Sequence, residues 1–184
     1  ETHQGIFDLS YLSSIPNMSI MAPKNKWELA DMLLYATKKY NGPIAIRYPR
    51  GTAYDELKEN RAAIKYGKSE MIYDEPNARN GVCIVAVGSM VKTAVEVRNK
   101  LLESGKKCSV CNARFVKPID EEMILNIAKT HKTIVTLEEN VYSGGFGDRV
   151  RAFLDEQGVK SKLICVSIPD EYVEHGNVDI LKKE

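Results

Sequence analysis

The chain has 184 residues, which is the length of one domain or about one and a half. Hydrophobic residues make up 43% and charged residues 28% of it, so a buried core is expected and disorder is excluded for most of the chain. The 26 Lys and Arg residues against 25 Asp and Glu leave a net charge of +1. This balance offers no electrostatic reason to bind nucleic acid or an anionic membrane.

The few scattered cysteines and the short apolar runs favour a protein located in the reducing cytoplasm. No run approaches about 18 apolar residues, so no transmembrane helix is predicted, and residues 1–5 have no signal-peptide pattern. Cys108 and Cys111 have C-x-x-C spacing, which is typical of redox or zinc sites. They lie in a strand-like run without a second pair, which favours buried structural thiols and predicts no metal site.

Residues 1–51 have the pattern of one strand–helix–strand unit. Strands are predicted at residues 19–22 and 44–47. Asn25 and Glu28 have capping-box spacing and open the helix between them. The apolar positions of that helix form one stripe of Leu29, Met32, Leu33, Ala36 and Tyr40. Because one such unit is not a whole domain, we expect the chain to begin inside a larger one.

Residues 52–65 are polar and predict a linker, and residues 66–184 alternate strands with helices. Strands are predicted at residues 82–87, 109–116, 133–137 and 163–168. Ser89 and Asp120 are predicted helix caps. The helix after Ser89 is expected to bury Val91, Ala94, Val95, Leu101 and Leu102. The alternation predicts an α/β fold with a mainly parallel sheet flanked by helices.

Two residues of the first stretch are candidates for chemistry. Arg50 follows a predicted strand in Tyr-Pro-Arg-Gly, and ligands of open α/β sheets bind beyond the carboxyl ends of strands. Its guanidinium suits a phosphate or a carboxylate, and a surface arginine on a tight turn is the alternative. His3 lies beside Gln4 and Gly5 and has the pKa range of a general acid or base. A solvated histidine is the favoured alternative on the residues alone.

Residues of the second stretch give weaker signals. The Gly-Gly-Phe-Gly run at 144–147 opens a helix and has the pattern of a phosphate cradle, but its dinucleotide fingerprint is incomplete and a sharp turn is favoured. Glu138 and Glu139 are neighbours in an extended segment, where successive side chains point to opposite faces. A structural or interface role is therefore predicted for them. His131 and His175 have no clear partners and are predicted at the surface.

Short motifs along the whole chain carry a resemblance. In order they are residues 2–12 (THQGIFDLSYL), 15–18, 21–23, 42–43, 47–51 (RYPRG), 114–120 (RFVKPID), 138–140 with 144–147, 169–170 and 174–176. This ordered set resembles the 1-deoxy-D-xylulose-5-phosphate synthase family of transketolase-like thiamine diphosphate enzymes. The resemblance implies that residues 1–51 are the C-terminal part of a pyrimidine-binding domain, 52–65 a linker and 66–184 a transketolase C-terminal domain.

The resemblance also implies a reaction and two site residues. Enzymes of that family decarboxylate pyruvate on thiamine diphosphate with Mg²⁺ and transfer the two-carbon unit to D-glyceraldehyde 3-phosphate, for isoprenoid, thiamine and pyridoxal synthesis. His3 matches the family's active-site histidine beside the reacting carbon. Arg50 matches the arginine that holds the substrate phosphate, and Arg47 matches a structural position.

The motifs that hold the diphosphate and the metal in that family lie upstream and are absent here. We therefore expect the chain alone to bind no cofactor and to be inactive, with the missing N-terminal part and a second copy in a homodimer as partners. The alternatives are a non-catalytic assembly module or a subunit of a split transketolase-like or 2-oxo-acid dehydrogenase-type enzyme. A small nucleotide-binding domain around the 144–147 run is a third.

Overall fold

Thirteen helices and strands organise the part of the chain that the computed structural model describes, residues 4–75, 81–174 and 176. In chain order they are α1 (Asp8–Ser13), β1 (Ser19–Met21), α2 (Lys26–Lys38), β2 (Ile44–Ile46), β3 (Glu70–Tyr73), β4 (Val82–Ala86), α3 (Met90–Glu103), β5 (Cys108–Asn112), β6 (Phe115–Lys117), α4 (Glu121–Thr130), β7 (Thr133–Val141), α5 (Phe146–Glu156) and β8 (Lys162–Ile168). A single 3₁₀ turn, Gly5–Phe7, leads into α1.

A five-stranded sheet carries the second stretch of the chain, in the order β3-β5-β4-β7-β8. The β4, β5, β7 and β8 strands are parallel, and only β3 at the edge runs antiparallel to its neighbour. Residues 83–86 of β4 are buried on both faces, as their continuous apolar pattern predicts. The predicted α/β fold with a mainly parallel, helix-flanked sheet is confirmed.

A three-stranded sheet, in the order β2-β1-β6, carries the first stretch. The β1 strand pairs in parallel with β2 and antiparallel with β6. The predicted single strand at 109–116 is wrong, because the chain turns at Arg114, which has a φ of 57°. The segment before the turn pairs in the larger sheet as β5, and the segment after it pairs in the smaller sheet as β6.

Four buried charged residues surround this turn, and we call them the buried ion cluster: Lys24, Glu28, Glu70 and Arg114. The Lys24 Nζ atom lies 3.0 Å from Glu28 and 2.7 Å from Glu70. The Arg114 guanidinium bonds to the same two carboxylates at 2.7 and 3.1 Å. Each charge is paired, as burial of ions requires. The cluster thereby joins α2 and β3 to the turn between β5 and β6.

The core continues from the larger sheet into the first stretch. One apolar cluster contains Leu9 and Ile20 together with Val85 of β4 and Phe146 of α5. A second cluster packs α3 on the opposite face of the larger sheet. Residues from both stretches therefore share one buried core, in which burial of apolar area is the main stabilising contribution.

The caps and buried faces of the helices agree only in part with those that the sequence predicts. Asn25 and Asp120 accept hydrogen bonds from first-turn N–H groups, which confirms them as caps. Ser89 makes no capping bond, so that prediction is wrong. Leu33 and Leu102 are 49% and 38% exposed rather than buried. Each follows a residue that takes the inward position, and successive helical residues point about 100° apart.

The cysteines are packed as structural residues. Cys83, Cys108 and Cys111 are buried and Cys165 is half-buried. Burial raises the pKa of Cys111 to about 12, so its thiolate form is suppressed and it is a poor nucleophile. In residues 4–75, 81–174 and 176, no group of three His, Cys, Asp or Glu side chains is arranged to hold a metal ion. No helix in the same residues is long and apolar enough to span a membrane.

Candidate functional site

Side chains at the carboxyl ends of β2, β4 and β7 lie in contact with one another. Arg47 directly follows β2, Ser89 follows β4 and Glu139 lies near the end of β7. The Arg47 guanidinium donates to the Glu139 carboxylate at 2.9 Å and to the Glu139 carbonyl at 3.2 Å. The Ser89 hydroxyl donates to the same carboxylate oxygen. These three residues, called the Glu139 junction below, connect the carboxyl edges of the two sheets.

Arg50 lies three residues after Arg47 in the chain, and its side chain is exposed. Its guanidinium makes no hydrogen bond or ion pair with any residue that the structure describes. Gly51 follows with a φ of 119°, a conformation that other residues rarely adopt. The position of Arg50 beyond the carboxyl end of β2 agrees with the sequence analysis. Its role as a phosphate ligand stays a prediction.

Asn140, the next residue of β7, fixes the beginning of α1. It is fully buried, and its side-chain oxygen accepts the Leu9 N–H at 3.1 Å. Its amide nitrogen donates to the Ser10 hydroxyl at 2.8 Å, and that hydroxyl donates to the Ser143 carbonyl. The chain just after the His-Gln-Gly run is therefore anchored on β7. His3 itself lies outside the described residues, and its role stays a prediction.

Glu138 points to the opposite side of β7 from Glu139, as predicted for neighbours in a strand. Its buried carboxylate accepts the N–H groups of Phe146 and Gly147, both at 2.8 Å. A Cβ atom on Gly145 would lie 2.7 Å from this carboxylate, so glycine is required for the close approach. The phosphate-cradle hypothesis for residues 144–147 is wrong, because a protein carboxylate occupies these N–H groups at the start of α5.

The titration of Glu138 predicts a pH dependence of stability. Burial raises the pKa of Glu138 from 4.5 to about 7, although its two N–H bonds act to lower it. The folded state therefore binds this proton more tightly than the unfolded chain. The stabilising contribution is complete below pH 4.5 and is lost as the pH rises through about 7.

We therefore expect the free energy of unfolding to have a more negative pH slope over this interval in the parent chain than in Glu138→Gln, because the other titrating groups, such as His131 with its lowered pKa, contribute equally to both. Urea unfolding followed by circular dichroism at successive pH values measures both slopes. Glu103→Gln, at an exposed position on α3, is the matched control and keeps the parent slope. Identical slopes for the parent chain and Glu138→Gln would contradict the assignment.

His131 is buried rather than at the surface, so the sequence interpretation is wrong. It is 7% exposed, and its Nε2 atom lies 2.9 Å from the Ser109 hydroxyl of β5. Burial lowers the pKa of His131. The end of α4 brings the ring against the sheet, and the polar partner is 22 residues away in the chain. His175 lies outside the described residues.

Comparison with known proteins defines the family. The family model for the transketolase C-terminal domain matches residues 74–184, and that for the transketolase pyrimidine binding domain matches residues 1–55. The chain belongs to the transketolase family.

Two solved structures are similar to this chain. One, described as a split gene transketolase, inactive β4 tetramer, superposes with a TM-score of 0.83 at 27% identity, covering 91% of this chain and 54% of that chain. A transketolase mutant from Pichia stipitis shares the fold, with a TM-score of 0.73 at 19% identity over 99% of this chain and 25% of its own.

Within that family, the curated proteins similar to this chain include several 1-deoxy-D-xylulose-5-phosphate synthases. The protein from Lachnoclostridium phytofermentans is 49% identical over the whole of this chain and 29% of its own length. The protein from Heliobacterium modesticaldum is 43% identical over the whole chain and 28% of its own length. The one from Aquifex aeolicus is 42% identical over 98% of the chain and 28% of its own length. The chain thus spans under a third of these relatives.

Proposed function

We propose that this chain is the C-terminal part of a 1-deoxy-D-xylulose-5-phosphate synthase, which condenses pyruvate with D-glyceraldehyde 3-phosphate and releases CO₂. The observation that carries the proposal is the identity of up to 49% to such synthases along the whole chain. Residues 1–51 are then the end of the pyrimidine-binding domain, 52–65 the linker and 66–184 the C-terminal domain. The intact enzyme is a cytoplasmic homodimer.

Arg50 is proposed to bind the phosphate of glyceraldehyde 3-phosphate. Its location beyond the carboxyl end of β2 and its lack of a partner among the described residues support this role. An arginine binds two phosphate oxygens at once through its fork of donors. His3 is proposed to bind substrate or move a proton beside the reacting carbon. The helix that follows it in the chain is anchored on β7, where Asn140 accepts the Leu9 N–H at 3.1 Å.

Thiamine diphosphate and Mg²⁺ are proposed to be held by the N-terminal part of the intact enzyme. The residues that the structure describes do not fit the metal, because they form no cluster of metal-ligating side chains. When bound in the intact enzyme, the cofactor supplies the electron sink for decarboxylation. The residues of this chain contribute to binding and orienting the substrates.

The isolated chain is expected to be catalytically inactive and to bind no thiamine diphosphate, because the anchoring residues are not in it. Isothermal titration calorimetry with the cofactor and Mg²⁺ measures this directly. The intact protein is the positive control and should bind with a saturating heat signal. Saturable binding to the isolated chain would contradict the prediction.

The proposed reaction is tested in the intact protein with thiamine diphosphate and Mg²⁺. Release of CO₂ from pyruvate should depend on glyceraldehyde 3-phosphate, and the product should be 1-deoxy-D-xylulose 5-phosphate. Turnover with a ketose phosphate as the two-carbon donor, and none with pyruvate, would instead identify a transketolase. Transfer from pyruvate to a lipoyl acceptor would identify a 2-oxo-acid dehydrogenase component.

A subunit of a split enzyme is the second candidate. The superposition on a split gene transketolase chain, with a TM-score of 0.83, favours it. In that case the chain assembles with a separate polypeptide that carries the cofactor site. A reading frame beside that of this chain, encoding the diphosphate-binding motif, would support this candidate over a single long polypeptide.

A further inference from the structure

We infer that Glu139 is a positioning residue for the acceptor phosphate, acting on Arg50 through Arg47. The inference rests on the proposed function and deepens it, because it assigns the second domain a part in binding the phosphorylated substrate. Glu139 belongs to the larger sheet and Arg47 to the end of the smaller one. The contact therefore joins two parts of the chain that are 92 residues apart.

The Arg47 side chain is held at several points. Its guanidinium donates to both the carboxylate and the carbonyl of Glu139, and the two side chains are only 16% and 15% exposed. The Arg47 backbone N–H also donates to the Met21 carbonyl at 2.8 Å. Such a charge-assisted, two-point contact fixes orientation as well as distance. Arg47 is thus a fixed point between the two sheets.

Arg50 is close to this fixed point along the chain. Arg50 is three residues after Arg47, a stretch that spans at most about 11 Å when extended. Pro49, which lies between the two arginines, has a restricted φ. The path of the loop that carries Arg50 is therefore determined largely by where Arg47 is held. A displacement of about 1 Å at a binding group is enough to lower activity strongly.

Charge distribution distinguishes the two arginines of the Arg-Tyr-Pro-Arg run. The Glu139 carboxylate neutralises Arg47, whereas Arg50 has no ion pair with the described residues. One guanidinium is thus engaged by the protein and the other is available to a substrate anion. Without the Glu139 carboxylate, Arg47 would lose the contact that holds it, and the loop that carries Arg50 would no longer be fixed in one position.

The test uses the intact protein and the isosteric variant Glu139→Gln. The KM for glyceraldehyde 3-phosphate should rise on the order of tenfold, while kcat and the KM for pyruvate stay within about twofold of the parent values. Asp31→Asn is the matched control, because it removes an exposed ion pair with Arg61 at 2.7 Å and should change none of these constants. Equal increases in both KM values would overturn the inference.

A double-mutant cycle tests whether Glu139 acts through Arg50. In an Arg50→Ala background, Glu139→Gln should have no further effect on the KM for glyceraldehyde 3-phosphate, because the positioned group is gone. Full additivity of the two effects would overturn the inference. If Glu139→Gln fails to fold, Arg47→Lys, which keeps the charge but not the two-point contact, should give the same selective rise.

The outcomes separate the inference from the proposed function. Suppose that the parent protein turns over pyruvate and glyceraldehyde 3-phosphate, and that Arg50→Ala weakens binding of the acceptor. If Glu139→Gln then binds the acceptor as well as the parent does, the inference alone is overturned. A parent protein without this turnover would overturn the proposed function, and the inference with it. If the KM for glyceraldehyde 3-phosphate rises selectively in Glu139→Gln and rises less in Glu139→Asp, which keeps the carboxylate, the result supports both the inference and the proposed function.

Discussion

Arg50→Ala in the intact protein is expected to raise the KM for glyceraldehyde 3-phosphate on the order of a hundredfold and to leave the KM for pyruvate nearly unchanged. The variant loses the charged hydrogen bonds to the phosphate, each of which contributes about 1.5–3 kcal/mol. Pyruvate carries no phosphate and makes no such contact. Initial rates with each substrate varied at saturation of the other measure the two constants.

Unphosphorylated D-glyceraldehyde is the substrate control for this prediction. The parent protein should strongly prefer the phosphorylated acceptor, and Arg50→Ala should lose most of that preference. Arg151→Ala, which alters an exposed arginine on α5, should behave like the parent. A parallel increase in the KM values for pyruvate and glyceraldehyde 3-phosphate would count against the phosphate contact.

Arg114→Leu is expected to lower the free energy of unfolding by about 3–5 kcal/mol, because it leaves one buried negative charge uncompensated. Glu28 and Glu70 would share only Lys24, which lies 3.0 and 2.7 Å from them. The substitution also removes the 2.8 Å bond from Arg114 to the Ala62 carbonyl. Urea unfolding of the chain, followed by circular dichroism, measures the loss.

Two variants control for the loss of an arginine in general. Arg61→Leu removes an exposed ion pair with Asp31 and should change stability far less, because exposed pairs contribute little. Glu70→Gln in the Arg114→Leu background removes the excess negative charge and should recover part of the stability. If Arg114→Leu lowered the free energy of unfolding no more than Arg61→Leu does, the claim that the buried ion cluster stabilises the fold would be contradicted.

The fold could be predicted wherever the signal was local. The apolar run of β4 and the cap at Asn25 are patterns within a few residues, and both are confirmed. The turn at Arg114 could not be predicted, because an arginine in the left-handed conformation between two apolar segments has no sequence signature. Its conformation is stabilised by Glu28, which is 86 residues away. The edge strand β3 was missed for a similar reason, since its Glu70 is buried by partners that are distant in the chain.

The candidate site was predicted in part. The position of Arg50 follows from the strand that precedes it, and the opposite orientation of Glu138 and Glu139 follows from strand geometry. The partners of these carboxylates could not be predicted, because Arg47 is 92 residues from Glu139. The neighbours of Ser89 in the sequence predict a helix cap, whereas its hydroxyl bonds to Glu139 at the carboxyl edge of the sheet.

Native mass spectrometry of the protein purified from its source organism, followed by denaturing analysis of the same sample, tests the central proposal most directly. We expect an assembly that contains thiamine diphosphate and releases a polypeptide in which this sequence follows the cofactor-binding part. Recovery of a 184-residue polypeptide alone or as a homo-oligomer, without cofactor, would contradict the proposal that it is part of a synthase. Release of a second polypeptide with the cofactor would instead identify a split enzyme.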